Sequence, residues 1–136
     1  MRVADVMQRS VKTIGGEATI AEAILTLADE HISGLPVVDD GGRLIGVVSS
    51  TDVLVAEAEK DDAAARQRLI EGTAVREIMT PHPYTIEAHR DLHEAAQQML
   101  YADVHRLFVT EGDRLIGVIS TTDIVRAVAN GSARLG

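Results

Sequence analysis

The sequence has no cysteine and no tryptophan. Without thiols it can build no disulfide framework, cysteine-ligated zinc site, iron–sulfur cluster or thiol nucleophile, a pattern that fits a reducing cytoplasm. Aromatic rings are almost as scarce. Tyr84, Tyr101 and Phe108 are too few for a platform on which single-stranded nucleic acid could stack. Positive charge is in deficit, 13 Lys plus Arg against 21 Asp plus Glu, so the basic footprint of a polynucleotide binder is missing. Met1 to Ser10 holds no long apolar core of the signal-peptide kind, and no apolar run approaches the ~18 residues of a membrane span. What is present is 136 residues, 46% hydrophobic and 25% charged, with a net charge of −8. That is the balance of an ordinary soluble domain able to bury roughly two thirds of its unfolded surface. A cytoplasmic protein without membrane or nucleic-acid partners is expected.

A repeat covers the chain. A shift of 72 superposes Val3, Met7, Thr13, Ile14, Glu22, Ala23, Leu35 and Val37 on Val75, Met79, Thr85, Ile86, Glu94, Ala95, Leu107 and Val109. The shift then falls to 71, where Arg43 to Asp52 faces Arg114 to Asp123 with eight of ten positions identical. The residue lost lies in a turn, Asp39-Asp40-Gly41-Gly42 against Glu111-Gly112-Asp113, where duplicated units tolerate a length change.

Each repeat reads as β-α-β-β-α, an α+β fold with a small mixed sheet. A short extended piece (Lys12 to Ile14; Tyr84 to Ile86) leads to a helix opened by a capping box, Thr19 with Glu22 and Asp91 with Glu94. Apolar residues at helical spacing, Ile20, Ile24, Leu27 and Ala28, then Leu92, Ala96, Met99 and Leu100, predict the buried faces. Hairpins follow, Leu35 to Val38 with Leu44 to Val48 and Leu107 to Val109 with Leu115 to Ile119. A second helix starts after Ser49 and after Ser120, and a short helix precedes each repeat at Val3 to Met7 and Val75 to Met79. Val55 to Glu71 is expected to prolong the second helix into a linker, with an Asp62 to Arg66 pair and Gly72 as its C-terminal cap. The predicted organisation is a first repeat over 1–58, a helical linker over 59–73, a second repeat over 74–130 and a flexible tail over 131–136. Repeats this small are marginal alone. They are expected to pack with pseudo-twofold symmetry and to form two related clefts.

Candidate chemistry follows the last strand of each repeat. Gly46 and Gly117 interrupt apolar strands, which marks close approach of a backbone or a ligand. Ser49, Thr51 and Asp52, with Ser120, Thr122 and Asp123, then stand at helix starts, where free N–H groups meet anions or hydroxyls and a carboxylate can accept both hydroxyls of a ribose diol. Plain N-capping accounts for the same residues, and duplication does not separate the two readings. The repeats differ before the second strand, Ser33-Gly34-Leu35-Pro36 against His105-Arg106-Leu107-Phe108. A guanidinium fork and an imidazole suit phosphate; a surface Arg paired with a carboxylate beside a satisfied His is the alternative. Since the helix is expected to start at Asp91, His89 and His93 share no helical face, so no metal site is expected. No nucleophile–base–metal set supports catalysis.

The two repeats resemble the cystathionine-β-synthase (CBS) domain, and the chain resembles a CBS pair, or Bateman module. The resemblance rests on the glycine-bearing strands with Ser49 and Asp52 or Ser120 and Asp123, on Ser33 to Asp39 and Val104 to Val109, and on Val6-Met7 and Ile78-Met79. It implies a non-catalytic regulatory sensor of an adenine ligand (AMP, ADP, ATP or S-adenosylmethionine), with no catalytic cofactor. It also implies a homodimer and a regulated partner protein. One implied site combines Ser49, Thr51 and Asp52 with Tyr84, Thr85, His105 and Arg106. The other combines Ser120, Thr122 and Asp123 with Lys12, Thr13, Ser33, Gly34 and Pro36 and lacks its own His-Arg pair, which leaves it either empty or borrowing Arg106 or Lys12 for phosphate; Phe108 stands where the family usually has proline. The competing reading is a ligand-free dimerisation or docking module acting on an enzyme or transporter.

Overall fold

The computed structural model describes residues 1–131; apart from Gly131, the expected flexible tail lies outside the described residues. Two compact bodies form. One comprises Lys12–Pro83, the other Met1–Val11 together with the chain from Tyr84 onward.

In the first body β1 (Ile14–Gly15) runs parallel to β2 (Gly34–Val38), which pairs antiparallel with β3 (Leu44–Ser49). This is the mixed three-stranded sheet expected from the sequence. Helix α2 (Ile20–Asp29) crosses between β1 and β2, α3 (Ser50–Ala58) follows β3, and α4 (Ala63–Gly72) comes next. The second body repeats the scheme with β4 (Thr85–Glu87), α5 (Leu92–Ala102), β5 (Arg106–Glu111), β6 (Arg114–Ser120) and α6 (Thr121–Ala129). It also contains α1 (Val3–Val6), whose counterpart in the first body is a 3-10 turn at Val75–Glu77.

The leading segments are exchanged. Residues 1–11, the leading segment of the first repeat, pack with the strands of the second, and residues 73–80 pack with the strands of the first. Sequence repeats and compact bodies therefore have different boundaries. Backbone bonds fasten each segment. Val75 donates to the Ala18 carbonyl at 2.7 Å and Arg76 to that of Gly16 at 2.9 Å, while Val3 donates to Arg90 at 2.9 Å and Ala4 to Ala88 at 3.0 Å. Val75 and Val3 are wholly buried, each in the core of the body it joins.

Glycine makes the exchange possible. Thr80 and Val47 exchange backbone hydrogen bonds at 2.8 and 2.9 Å, as do Gln8 and Val118, both at 2.9 Å. A Cβ at Gly46 would stand 2.6 Å from Met79 Sδ and 2.9 Å from the Thr80 carbonyl oxygen; at Gly117 it would stand 2.8 Å from both Met7 Sδ and the Gln8 carbonyl oxygen. Both strand glycines answer to a neighbouring backbone.

Several local expectations are corrected. The buried stripes are Ile20, Ala23 and Leu27 on α2 and Leu92, Ala95 and Met99 on α5. The small alanine lets each helix sit close to its sheet, which turns Ala28 and Leu100 outward. Thr19 and Glu22 form the expected reciprocal capping box. Asp91 instead caps through the His93 N–H at 2.8 Å, and Glu94 faces Arg90 at 3.6 Å. The linker does not prolong α3, which stops at Ala58. Asp62 caps a new helix by accepting the Ala65 N–H at 2.7 Å, and the Arg66 side chain donates to the Lys60 carbonyl instead of pairing with the Asp62 carboxylate. Gly72 is the last helical residue and Thr73 the cap. In the first hairpin turn the Asp39 carboxylate accepts the N–H groups of Arg43 and Gly41, and the bond from Arg43 leads in holding its pKa below the ordinary value.

The close contact at Gly46 sets a stability prediction. Gly46→Ala should destabilise by about 1–3 kcal/mol, as overpacking does, lowering the melting temperature by several degrees. Gly72→Ala, with nothing within 4 Å of the added Cβ, should stabilise by about 0.4–1 kcal/mol. Thermal melts of the two variants check both signs.

Candidate functional site

The end of β3 and the end of β6 each launch a helix from an extended serine. Ser49 has φ −115° and ψ 165°, Ser120 φ −114° and ψ 164°. Ser49 Oγ accepts the Asp52 N–H at 3.1 Å, while Asp52 Oδ2 accepts the Ser49 N–H at 2.9 Å and the Ser49 hydroxyl at 3.0 Å. Ser120 and Asp123 repeat the reciprocal backbone bonds at 3.1 and 2.9 Å. The capping role is fully realised in both bodies. It leaves each aspartate with a second oxygen, and there the bodies diverge.

Asp52 Oδ1 accepts the Thr80 hydroxyl at 3.1 Å. Asp123 Oδ1 accepts the Gln8 side-chain amide at 3.0 Å, with the Arg126 guanidinium 3.7 Å away. Asp123 is only 5% exposed, whereas Asp52 is half-buried. Thr51 and Thr122 lie in the exposed first turns of α3 and α6. Gln8 and Thr80 are functional candidates that sequence reasoning missed. The available signal was their shared position directly after the paired methionines Met7 and Met79.

The segments before β2 and β5 dock beside these helix starts. The Ser33 carbonyl accepts the Ser50 N–H at 3.0 Å and that of His105 accepts the Thr121 N–H at 2.9 Å. Gly34 and Arg106 open their strands opposite Ser49 and Ser120. His105 and Arg106 are exposed, and among the described residues neither makes an ion pair. The alternative of a surface Arg paired with a carboxylate is therefore not what forms. Lys12 and Thr13 precede β1, both exposed, and Tyr84 is 56% exposed just before β4. Thr85 pairs with Phe108 across the sheet and its carbonyl accepts the Gln98 amide at 2.8 Å. Pro36 and Phe108 are buried at equivalent positions, opposite Val47 and Val118.

Each body thus gathers a strand start, a pre-strand pair and a capped helix. Lys12, Thr13, Ser33, Gly34, Pro36, Ser49, Thr51 and Asp52 belong to one body, and Tyr84, Thr85, His105, Arg106, Ser120, Thr122 and Asp123 to the other. Among the described residues no group of three or more His, Cys, Asp or Glu could hold a metal ion, and no helix is long and apolar enough to cross a membrane.

Two mixed sheets, each followed by a serine-capped helix carrying an aspartate, define a tandem α+β module. A family model for the CBS domain matches residues 3–59 and again 75–130, and the chain belongs to that family. It is 32% identical over 130 residues to the chloroplastic CBS domain-containing protein CBSX1 of Arabidopsis thaliana, an alignment covering 80% of this chain and 55% of the relative. The chain thus spans little more than half of that protein. CBSX2 solved in complex with AMP superposes with a TM-score of 0.79 at 28% identity, covering 97% of this chain and 98% of that one. The CBS domain pair of MJ0100, in complex with 5-methylthioadenosine and S-adenosyl-L-methionine, gives 0.72 at 25% identity and covers 94% and 99% of the two chains.

The caps carry their own expected outcome. Ser49→Ala and Ser120→Ala should each cost about 1 kcal/mol through the lost cap, read as a lower urea midpoint at unchanged slope.

Proposed function

We propose that this chain is a non-catalytic regulatory module that binds an adenine nucleotide or S-adenosylmethionine and passes its occupancy to a partner. The observation that carries the reading is Asp52. Its carboxylate stands at the start of α3 with Oδ2 held by Ser49 and Oδ1 met, among the described residues, by the Thr80 hydroxyl alone. A ribose diol can donate to that carboxylate and to the Thr80 oxygen, since a hydroxyl both donates and accepts. The AMP bound to CBSX2 and the adenosine compounds bound to MJ0100 support this choice of ligand class. The residues that the body carrying Asp52 offers the ligand are Ser49, Thr51 and Asp52. Asp52 takes the ribose; in the other body the Arg106 guanidinium, which makes no ion pair among the described residues, has a fork that matches phosphate geometry. Switching then follows from any difference in ligand affinity between two states of the module.

The reading includes a homodimer. Equivalent apolar grooves of about 500 and 400 Å³ lie along α2 and α3, lined by Ile24, Ile32 and Leu54, and along α5 and α6, lined by Leu100, Val104 and Val125. Leu100 is 83% exposed and Val125 66%, a density of bare apolar side chains that marks an interaction surface. The same chemistry occurs on both bodies, which makes the surface suited to a second copy of itself. Light scattering should return twice the chain mass, and Leu100→Glu should shift it towards the monomer.

Titration calorimetry tests the ligand. Hydrogen bonds to a charged group contribute roughly 1.5–3 kcal/mol each, so removing two with Asp52→Ala should weaken AMP binding by about a hundredfold or more. Unchanged affinity would falsify the assignment of Asp52. A flat thermal-shift response to AMP, ADP, ATP and S-adenosylmethionine would favour the ligand-free docking module instead.

A further inference from the structure

The residue after each paired methionine occupies the same backbone position in the two bodies. Gln8 and Thr80 each exchange two hydrogen bonds with the valine that follows the strand glycine, Val118 and Val47. Only their side chains differ, and each side chain ends on the aspartate of the following helix, Gln8 on Asp123 and Thr80 on Asp52. A second difference lies one turn further on. Position 126 is Arg where the equivalent position in the first repeat is Val55, and its guanidinium is 3.7 Å from Asp123 Oδ1.

From this geometry we propose that Gln8, with Arg126, latches Asp123 shut as a structural carboxylate, so that the module takes one adenine nucleotide per chain, through Asp52. The inference rests on the nucleotide reading above and names which of its two aspartates is open. An amide N–H can only donate to Asp123, so a ligand diol that takes the same oxygen must share it with the Gln8 amide or displace that amide into solvent. Arg126 adds a positive charge 3.7 Å from the same oxygen; its own side chain is 63% exposed, so solvent screens that charge, while Asp123 is buried, 5% exposed. Thr80 presents no such obstacle. Its hydroxyl rotates, gives up the donor role towards Asp52 and accepts from the incoming sugar instead. The two aspartates share a capping box and a strand register, so neither of those distinguishes them. The gate is the side chain that follows the methionine.

AMP titrations read the outcome as stoichiometry. Wild type should show one binding event per chain, abolished by Asp52→Asn. The double variant Gln8→Thr/Arg126→Val, which copies Thr80 and Val55 into the second body, should gain a second event, and Asp123→Asn in that background should remove it. Circular dichroism melts confirm that the variants are folded. A folded double variant that still binds one AMP, or a wild type that binds two, overturns the proposal while leaving the nucleotide reading intact. Should the double variant not fold, residual AMP binding by Asp52→Asn overturns the proposal in its place. Wild type that binds no AMP overturns the nucleotide reading and this inference with it.

Discussion

The fold depends on a missing side chain. At Gly46 and Gly117 the absence of a Cβ lets another stretch of backbone lie against the strand and exchange two hydrogen bonds with its neighbour, Val47 or Val118. The stretch that does so comes from the segment leading into the other repeat, so each three-stranded sheet is completed by chain that its own repeat does not supply. A unit of three short strands buries little apolar surface by itself. The exchanged segments add a wholly buried valine and a methionine to each sheet, Val75 with Met79 and Val3 with Met7.

The same exchange delivers the chemistry. Because Met7 and Met79 seat against glycine, the next residue lands over the first turn of the following helix, within hydrogen-bond reach of its aspartate. That aspartate is already committed through one oxygen to the capping box. Ligand recognition therefore need not dismantle the helix terminus; it exchanges the partner on the remaining oxygen. A carboxylate at a helix N-terminus is stabilised by the free amides and the dipole in either case, so the cap and the proposed ribose contact do not compete.

Much of this was legible in the sequence, and what was not has a common cause. The hairpins, the order of elements and the serine caps follow from local patterns of alternation, turn residues and cap spacing. Ala23 was passed over for Ile24 because hydrophobicity ranks large residues first, whereas close helix–sheet packing selects the small one; between the identical Ala95 and Ala96 composition offers no choice, and only packing selects Ala95. The break after Ala58 was hidden by helix-forming composition on both sides, and only the cap at Asp62 reveals it. The strand glycines announced a close approach, yet not what approaches. That information lies in Met7 and Met79, far along the chain, and hydrogen-bond partners such as Gln8 and Asp123, 115 positions apart, leave no local periodicity to read.

Duplication explains how such divergence is tolerated. Both hairpins carry a register irregularity directly after the valine opposite the glycine, between Val37 and Val38 and between Val109 and Thr110. The one-residue difference in the turns is confined beyond that point, so the strand end that launches each helix keeps its place. With the backbone held in this way, side chains at equivalent positions are free to part company. His105-Arg106 opposite the start of α6, against Ser33-Gly34 at the start of α3, changes charge without changing a hydrogen bond of the sheet. Gln8 against Thr80 alters only the donor presented to an aspartate. Because binding free energy at a site depends on which contacts the ligand must displace as well as on those it makes, a fold-neutral exchange of this kind is sufficient to make two sites of one ancestry unequal.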